Sequence, residues 1–197
     1  MSTATLRLRR PPGLILVVLG ALITVAFPAP LWAALSASVA DATLPAVPYS
    51  HANQATSGSL TLAAQDTGRQ QCILLVCSTV NDGWNVTVQA SGFAYSGPSD
   101  GTAIPAANLA ITDARPPTRV SGQAISSVGG PRTTNVTGTL DVARKTLQAD
   151  GPTGGLIPTY YGIGTYEQVI DVSLTVPGQS RAGTYTTTLT VTISAGP

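Results

Sequence analysis

Along residues 83–93 apolar and polar positions alternate. Trp84, Val86, Val88 and Ala90 fall on one side of a period of two, and Asn85, Thr87, Gln89 and Ser91 on the other. Successive side chains of a β-strand point to opposite faces, so this pattern predicts a strand with one buried face. It returns in residues 183–193. There Tyr185, Thr187, Leu189, Val191 and Ile193 share one face, while Thr184, Thr186, Thr188, Thr190 and Thr192 share the other. This segment is the expected partner of the Trp84 strand. A third alternating run covers 166–176, with Ile170, Val172, Leu174 and Val176 on one side and Glu167, Asp171, Ser173 and Thr175 on the other.

Weaker strands are expected at 59–63, around Leu109 and Ile111, and at 139–143 and 146–149. Residues 118–137 give no clear assignment. Turn signals separate the runs. Asn81-Asp82-Gly83 contains an Asp-Gly pair that favours a tight reversal, and Arg115-Pro116-Pro117 stops the strand before it. No helical period occurs beyond residue 40. Short strands with one apolar face, divided by turns, predict an all-β fold: an antiparallel β-sandwich, immunoglobulin-like or jelly-roll-like, over residues 58–197. An extended lead-in is expected at 41–57, and a signal helix before it.

Composition supports this class. Charged residues make up 10% of the 197 positions, and the 20 glycines and 15 prolines suit a fold with many turns. The charge is unevenly placed. Arg7, Arg9 and Arg10 precede a mainly apolar run over 14–27, and Ser38-Val39-Ala40 then fits the small-x-small pattern of a leader cut before Asp41. Ala40-Asp41-Ala42 is a second candidate. Residues 1–40 are therefore expected to be a signal peptide, cleaved between Ala40 and Asp41. The run is short for a span of about 20 residues, so no stable membrane anchor is expected after removal. Losing those three of the ten basic residues leaves seven against nine acidic, a net charge of −2. That balance offers no basic patch for nucleic acid.

An exported chain with two cysteines suggests a disulfide. Cys72 and Cys77 are divided by Ile73-Leu74-Leu75-Val76. In one extended strand they would lie about 17 Å apart on opposite faces, whereas a disulfide needs Cα atoms within about 7 Å. Either the chain reverses between them or they stay reduced; the bridge is the favoured reading. The reversal would then carry four aliphatic side chains, tucked under the sandwich or exposed as an apolar contact. Two thiols with no histidine nearby do not complete a tetrahedral metal site.

Catalytic chemistry has little to stand on. His51 is the one histidine and lies in the lead-in, outside the apparent core; a triad would need it held by a third group, and an exposed histidine is the favoured reading. Asp82, Asp100, Asp113, Asp141, Asp150, Glu167 and Asp171 are scattered, and nothing in their spacing singles out a pair for sugar hydrolysis. The expectation is a protein that is not an enzyme and carries no cofactor or metal. Trp84 is read first as core, with stacking on a ligand as the alternative. Tyr160 and Tyr161, between Pro158 and Gly162, are candidate ligand contacts on a glycine- and proline-rich loop.

Three stretches carry a family resemblance: 83–93, Ile104-Pro105-Ala106-Ala107-Asn108-Leu109, and 176–191 with Ala182-Gly183-Thr184-Tyr185-Thr186-Thr187 inside it. Together they resemble the WxL-type surface domains of Gram-positive bacteria, over roughly residues 58–197. The Trp-x-Leu positions of that family fall on Trp84-Asn85-Val86 and Val191-Thr192-Ile193. The resemblance implies an exported, non-enzymatic surface protein held non-covalently to the cell wall, commonly to peptidoglycan, and often part of surface assemblies. Its expected partners are the bacterial cell wall or a surface protein, with self-association as a further option. One alternative is a fibre subunit assembled by strand addition at an open sheet edge. Another is a secreted hydrolase or inhibitor domain.

Overall fold

The computed structural model describes residues 34–73, 76–134, 136–155 and 157–196. The predicted signal helix lies outside them. In chain order the strands begin with β1 (Leu35–Val39), β2 (Gln54–Asp66), β3 (Arg69–Ile73), β4 (Val76–Val80) and β5 (Trp84–Ala90). Next come β6 (Ala94–Ser96), β7 (Leu109–Ala114), β8 (Thr118–Gly122), β9 (Arg132–Thr133) and β10 (Gly138–Thr139). The chain closes with β11 (Arg144–Ala149), β12 (Gly164–Val176), β13 (Thr184–Thr186) and β14 (Leu189–Ala195). One 3-10 turn, Ala106–Asn108, precedes β7.

Two antiparallel sheets carry the fold. The larger runs β1-β2-β12-β7-β10, with β8 also paired to β12, and the smaller runs β14-β5-β11-β9. Their apolar faces meet in a shared core. Near one end Leu60 and Leu62 of β2, Val88 of β5, Ile111 of β7 and Ile170 and Val172 of β12 pack together. Near the other, Trp84, Val86, Ala64, Leu147 and Tyr166 form a second cluster. The alternation read from the sequence places each of these side chains inward.

The pairing of β5 with β14 is as expected, with Val86 opposite Ile193, Val88 opposite Val191 and Trp84 opposite Ala195. Several local expectations change. The final strand is broken: β13 pairs with the short β6, and β14 begins after Thr187 and Thr188. At the break Ser91 takes over, its hydroxyl accepting from the Thr188 amide at 3.0 Å. Asp82-Gly83 turns the chain without forming a hairpin, because β4 pairs with β3 while β5 pairs with β11 and β14. Gly83 has φ +78°, and a Cβ there would run into the backbone of Ala149 and Asp150. The strand expected at 139–143 ends at Thr139, and the chain turns before β11.

The N-terminal boundaries also differ. β2 starts at Gln54, inside the expected lead-in, because Gln54–Gly58 pairs with Val172–Val176 of β12. Residues 41–53 are irregular, as a lead-in would be. They are tied down by Thr56, whose hydroxyl donates to the Pro45 carbonyl at 2.8 Å, and by the Gln179 amide, which donates to the Ser50 carbonyl at 2.7 Å. Ahead of them, Leu35–Val39 lies within the segment expected to be a leader, yet pairs in register with β2.

Candidate functional site

Trp84 opens β5 in the middle of the smaller sheet and is wholly enclosed. Its indole Nε1 donates to the Gly162 carbonyl at 3.0 Å, and its ring lies 6.2 Å from that of Tyr166. Gly162 has φ +76°, and a Cβ there would collide with Ala149 and the indole. A tryptophan so placed is core, with its polar handle satisfied. Tyr161 is also buried; its hydroxyl shares a 2.6 Å hydrogen bond with Thr153, and its carbonyl accepts from Asn81 Nδ2 at 2.6 Å. Of the three aromatic candidates, Trp84 and Tyr161 are thus held inside as structure. Tyr160 alone is half-exposed. The structure does not gather the three into one binding face.

The two Trp-x-Leu positions do come together, as neighbours on adjacent strands. Trp84-Asn85-Val86 lies directly opposite Ala195-Ser194-Ile193, and Val191 follows two residues on, opposite Val88. Trp84, Val86, Val191 and Ile193 all point toward the second core cluster. A valine or isoleucine at these positions is therefore a change of core volume, not the loss of an exposed contact.

The middle residues of both motifs, Asn85 and Thr192, face outward, and around them the smaller sheet carries a continuous polar surface. Ser194, Asn85, Gln148 and Arg132 form one row across its four strands, and Thr192, Thr87 and Lys145 form the next. Thr190 and Gln89 extend it. Many of these groups are braced. Asn85 Nδ2 donates to the Gly196 carbonyl at 2.8 Å, Gln89 Nε2 to the Asp141 carbonyl at 2.9 Å, and Lys145 Nζ to Gln148 Oε1 at 3.2 Å. Arg132 forks onto Asp150 with contacts of 2.6 and 2.7 Å, and Gln148 Nε2 adds a third donor to the same carboxylate at 2.8 Å. The hydrogen bond from Arg132 holds the Asp150 carboxyl below the usual carboxylate range, and Arg132 is raised in turn. The face is flat, rich in hydroxyl and amide groups, and carries one cation, Lys145, that is not in an ion pair among the described residues.

The threonine side of β14 and the polar side of β5 alternate plainly in the sequence, but their extension to Lys145, Gln148 and Arg132 does not. The obstacle is a register shift between Lys145 and Leu147, which turns Thr146 inward. The two residues of β9 leave no period to read.

Elsewhere the concave surface is apolar. A cavity of about 620 Å³ opens beneath the lead-in, walled by residues such as Leu44, Leu60, Phe93, Leu174, Tyr185 and Leu189, with no carboxylate or histidine in its lining. His51 is exposed and meets Tyr49 edge-on at 5.4 Å. Among the described residues no three of His, Cys, Asp and Glu converge in a metal-binding group. Cys72 and Cys77 face each other across β3 and β4 with Cα atoms 3.9 Å apart and are joined by a disulfide. The side chains of the four aliphatic residues between them lie outside the described residues.

No curated protein and no solved structure matches the chain. A protein-family model does, over residues 77–197: the WxL domain, a surface cell wall-binding domain. That match starts at the disulfide, takes in β5 and ends beyond β14, so it contains both strands of the motif pair, and the chain belongs to the WxL family of cell-wall-binding surface domains.

Proposed function

We propose that this protein is exported and acts, without catalysis, as a β-sandwich that holds non-covalently to the cell wall through the outer face of its smaller sheet. The observation that carries the reading is the polar surface built on the paired motif strands. The motif side chains fix the two strands from inside. The residues between them, Asn85 and Thr192, lie on the outer face with Thr87, Gln89, Lys145 and Gln148. Sugar hydroxyls and amide groups of a wall polymer match such a surface of donors and acceptors, and Lys145 suits the carboxylates of its peptide stems. Tyr160 contributes a ring at the Trp84 end. The inward placement of the motif residues explains how the family role survives Val86, Val191 and Ile193.

Co-sedimentation with purified peptidoglycan tests this. The wild-type chain is expected to pellet. Thr87→Glu should weaken binding about tenfold or more by repelling acidic stems, a loss of about 1.4 kcal/mol. A change on this outer face should cost the fold about 0.5 kcal/mol or less. Undiminished binding by a folded Thr87→Glu chain, together with loss of binding by Tyr160→Ala, would move the contact surface to the loop.

A further inference from the structure

We infer that export processing spares β1: the leader is removed upstream of Leu35, so the mature chain keeps residues 34–40 as an edge strand. This rests on the export reading above. A cut between Ala40 and Asp41, which the small-residue pattern suggests, would delete a strand that the fold uses. Leu35–Val39 pairs along its whole length with β2, from Leu35 opposite Asp66 to Val39 opposite Leu62. Hydrogen bonds extend the pairing at both ends. The Ala40 amide donates to the Thr61 carbonyl at 3.2 Å, and the Thr67 amide to the Ala34 carbonyl at 3.2 Å.

The side chains alternate as an edge strand requires. Ser36 and Ser38 face solvent, while Leu35 and Ala37 pack on the cluster around Trp84, and Val39 on the cluster around Leu62. Val191 and Ile193 of β14 share that packing. The strand thus fills the seam where the two sheets would otherwise part.

Ala33 supplies the small residue directly before such a cut, with Leu31 at the other position of the small-x-small pattern, so the site keeps one half of it. Hydrolysis there consumes one water, leaving a carboxylate on Ala33 and an ammonium on Ala34. The nitrogen of Ala34 donates to Thr67 Oγ1 at 2.9 Å, a bond that an ammonium makes at least as well.

The test is to express the full chain with its own leader in a Gram-positive host and determine the N-terminus of the exported protein by sequencing and intact mass. An N-terminus at Ala34, or between it and the end of the apolar run, is expected. An N-terminus at Asp41 or anywhere beyond Leu35 overturns the inference while leaving export intact. A chain that keeps Met1 and stays with the cell overturns the export reading and this one with it. Ala40→Leu gives an independent arm. Residue 40 is exposed, so the variant should fold. It should be processed like the wild type, and accumulation of unprocessed precursor would instead locate the cut at Ala40.

Discussion

Trp84 shows how far a single residue's role depends on which way it points. On β5 it faces inward, against Tyr166 and beneath Gly162. Trp84→Ala should destabilise the fold by about 3–5 kcal/mol, the usual cost of emptying a large aromatic site. Urea denaturation measures this, and at low temperature the folded fraction should still pellet with peptidoglycan. Two carboxylates, Asp150 and Asp171, contribute to the response to acid. Asp171 is held below the usual carboxylate range first by a hydrogen bond from Ser59 and then by Arg115, as Asp150 is by Arg132. A depressed carboxylate stabilises the fold above its unfolded pKa and ceases to do so as pH falls through the folded value. The melting temperature should therefore hold steady from neutral pH to about pH 5 and decline below about pH 4. Both pairs include a guanidinium about half exposed, so the decline is modest. Asp171→Asn should flatten it, as thermal melts across pH would show.

Among the elements, the β3–β4 hairpin stands apart from both main sheets as a ladder of its own. Its disulfide closes a short loop, worth about 2 kcal/mol in the chain-entropy model. Reduction should accordingly raise hydrogen exchange in residues 69–80 and leave the amides of β5 and β12 protected, which exchange with mass detection resolves. The strands differ in how plainly the sequence announces them. β5, β12 and β14 alternate aliphatic with polar residues, and the structure follows the alternation. The first half of β2 is Gln-Ala-Thr-Ser-Gly, with no large aliphatic residue to mark a face; its pairing with β12 makes it a strand. β1 reads Leu-Ser-Ala-Ser-Val, small enough to look like a leader's end as easily as an edge strand. The polar face of the smaller sheet was legible where β5 and β14 alternate and hidden where the β11 register shifts.

For the whole molecule, the two sheets divide the labour: their inner faces hold the fold, and the outer face of the smaller sheet offers the polar surface. The wall contact proposed for it is largely hydrogen-bonded, with Lys145 as its unpaired cation. Raising salt from 0.1 to 0.5 M should therefore weaken pelleting by less than about tenfold, because screening acts on the charge and spares the neutral contacts. A steeper loss would mean that charge dominates the contact. β1 also bears on assembly, since a retained strand covers the β2 edge at the seam and leaves that edge unavailable to a neighbouring chain.

If the chain is exported as proposed, the order in which its strands emerge matters as well. β5 waits for β14, and β2 for β12, each about a hundred residues later in the chain, and contacts so distant in sequence form late and slowly. In the export proposed above, β5 would have no partner while the polypeptide is threaded through a pore. The β1–β2 pair and the β3–β4 hairpin, whose strands are neighbours in sequence, are local exceptions. On the export reading the topology works as a timer: the two layers close only after β12 and β14 have emerged, on the side where the wall would be.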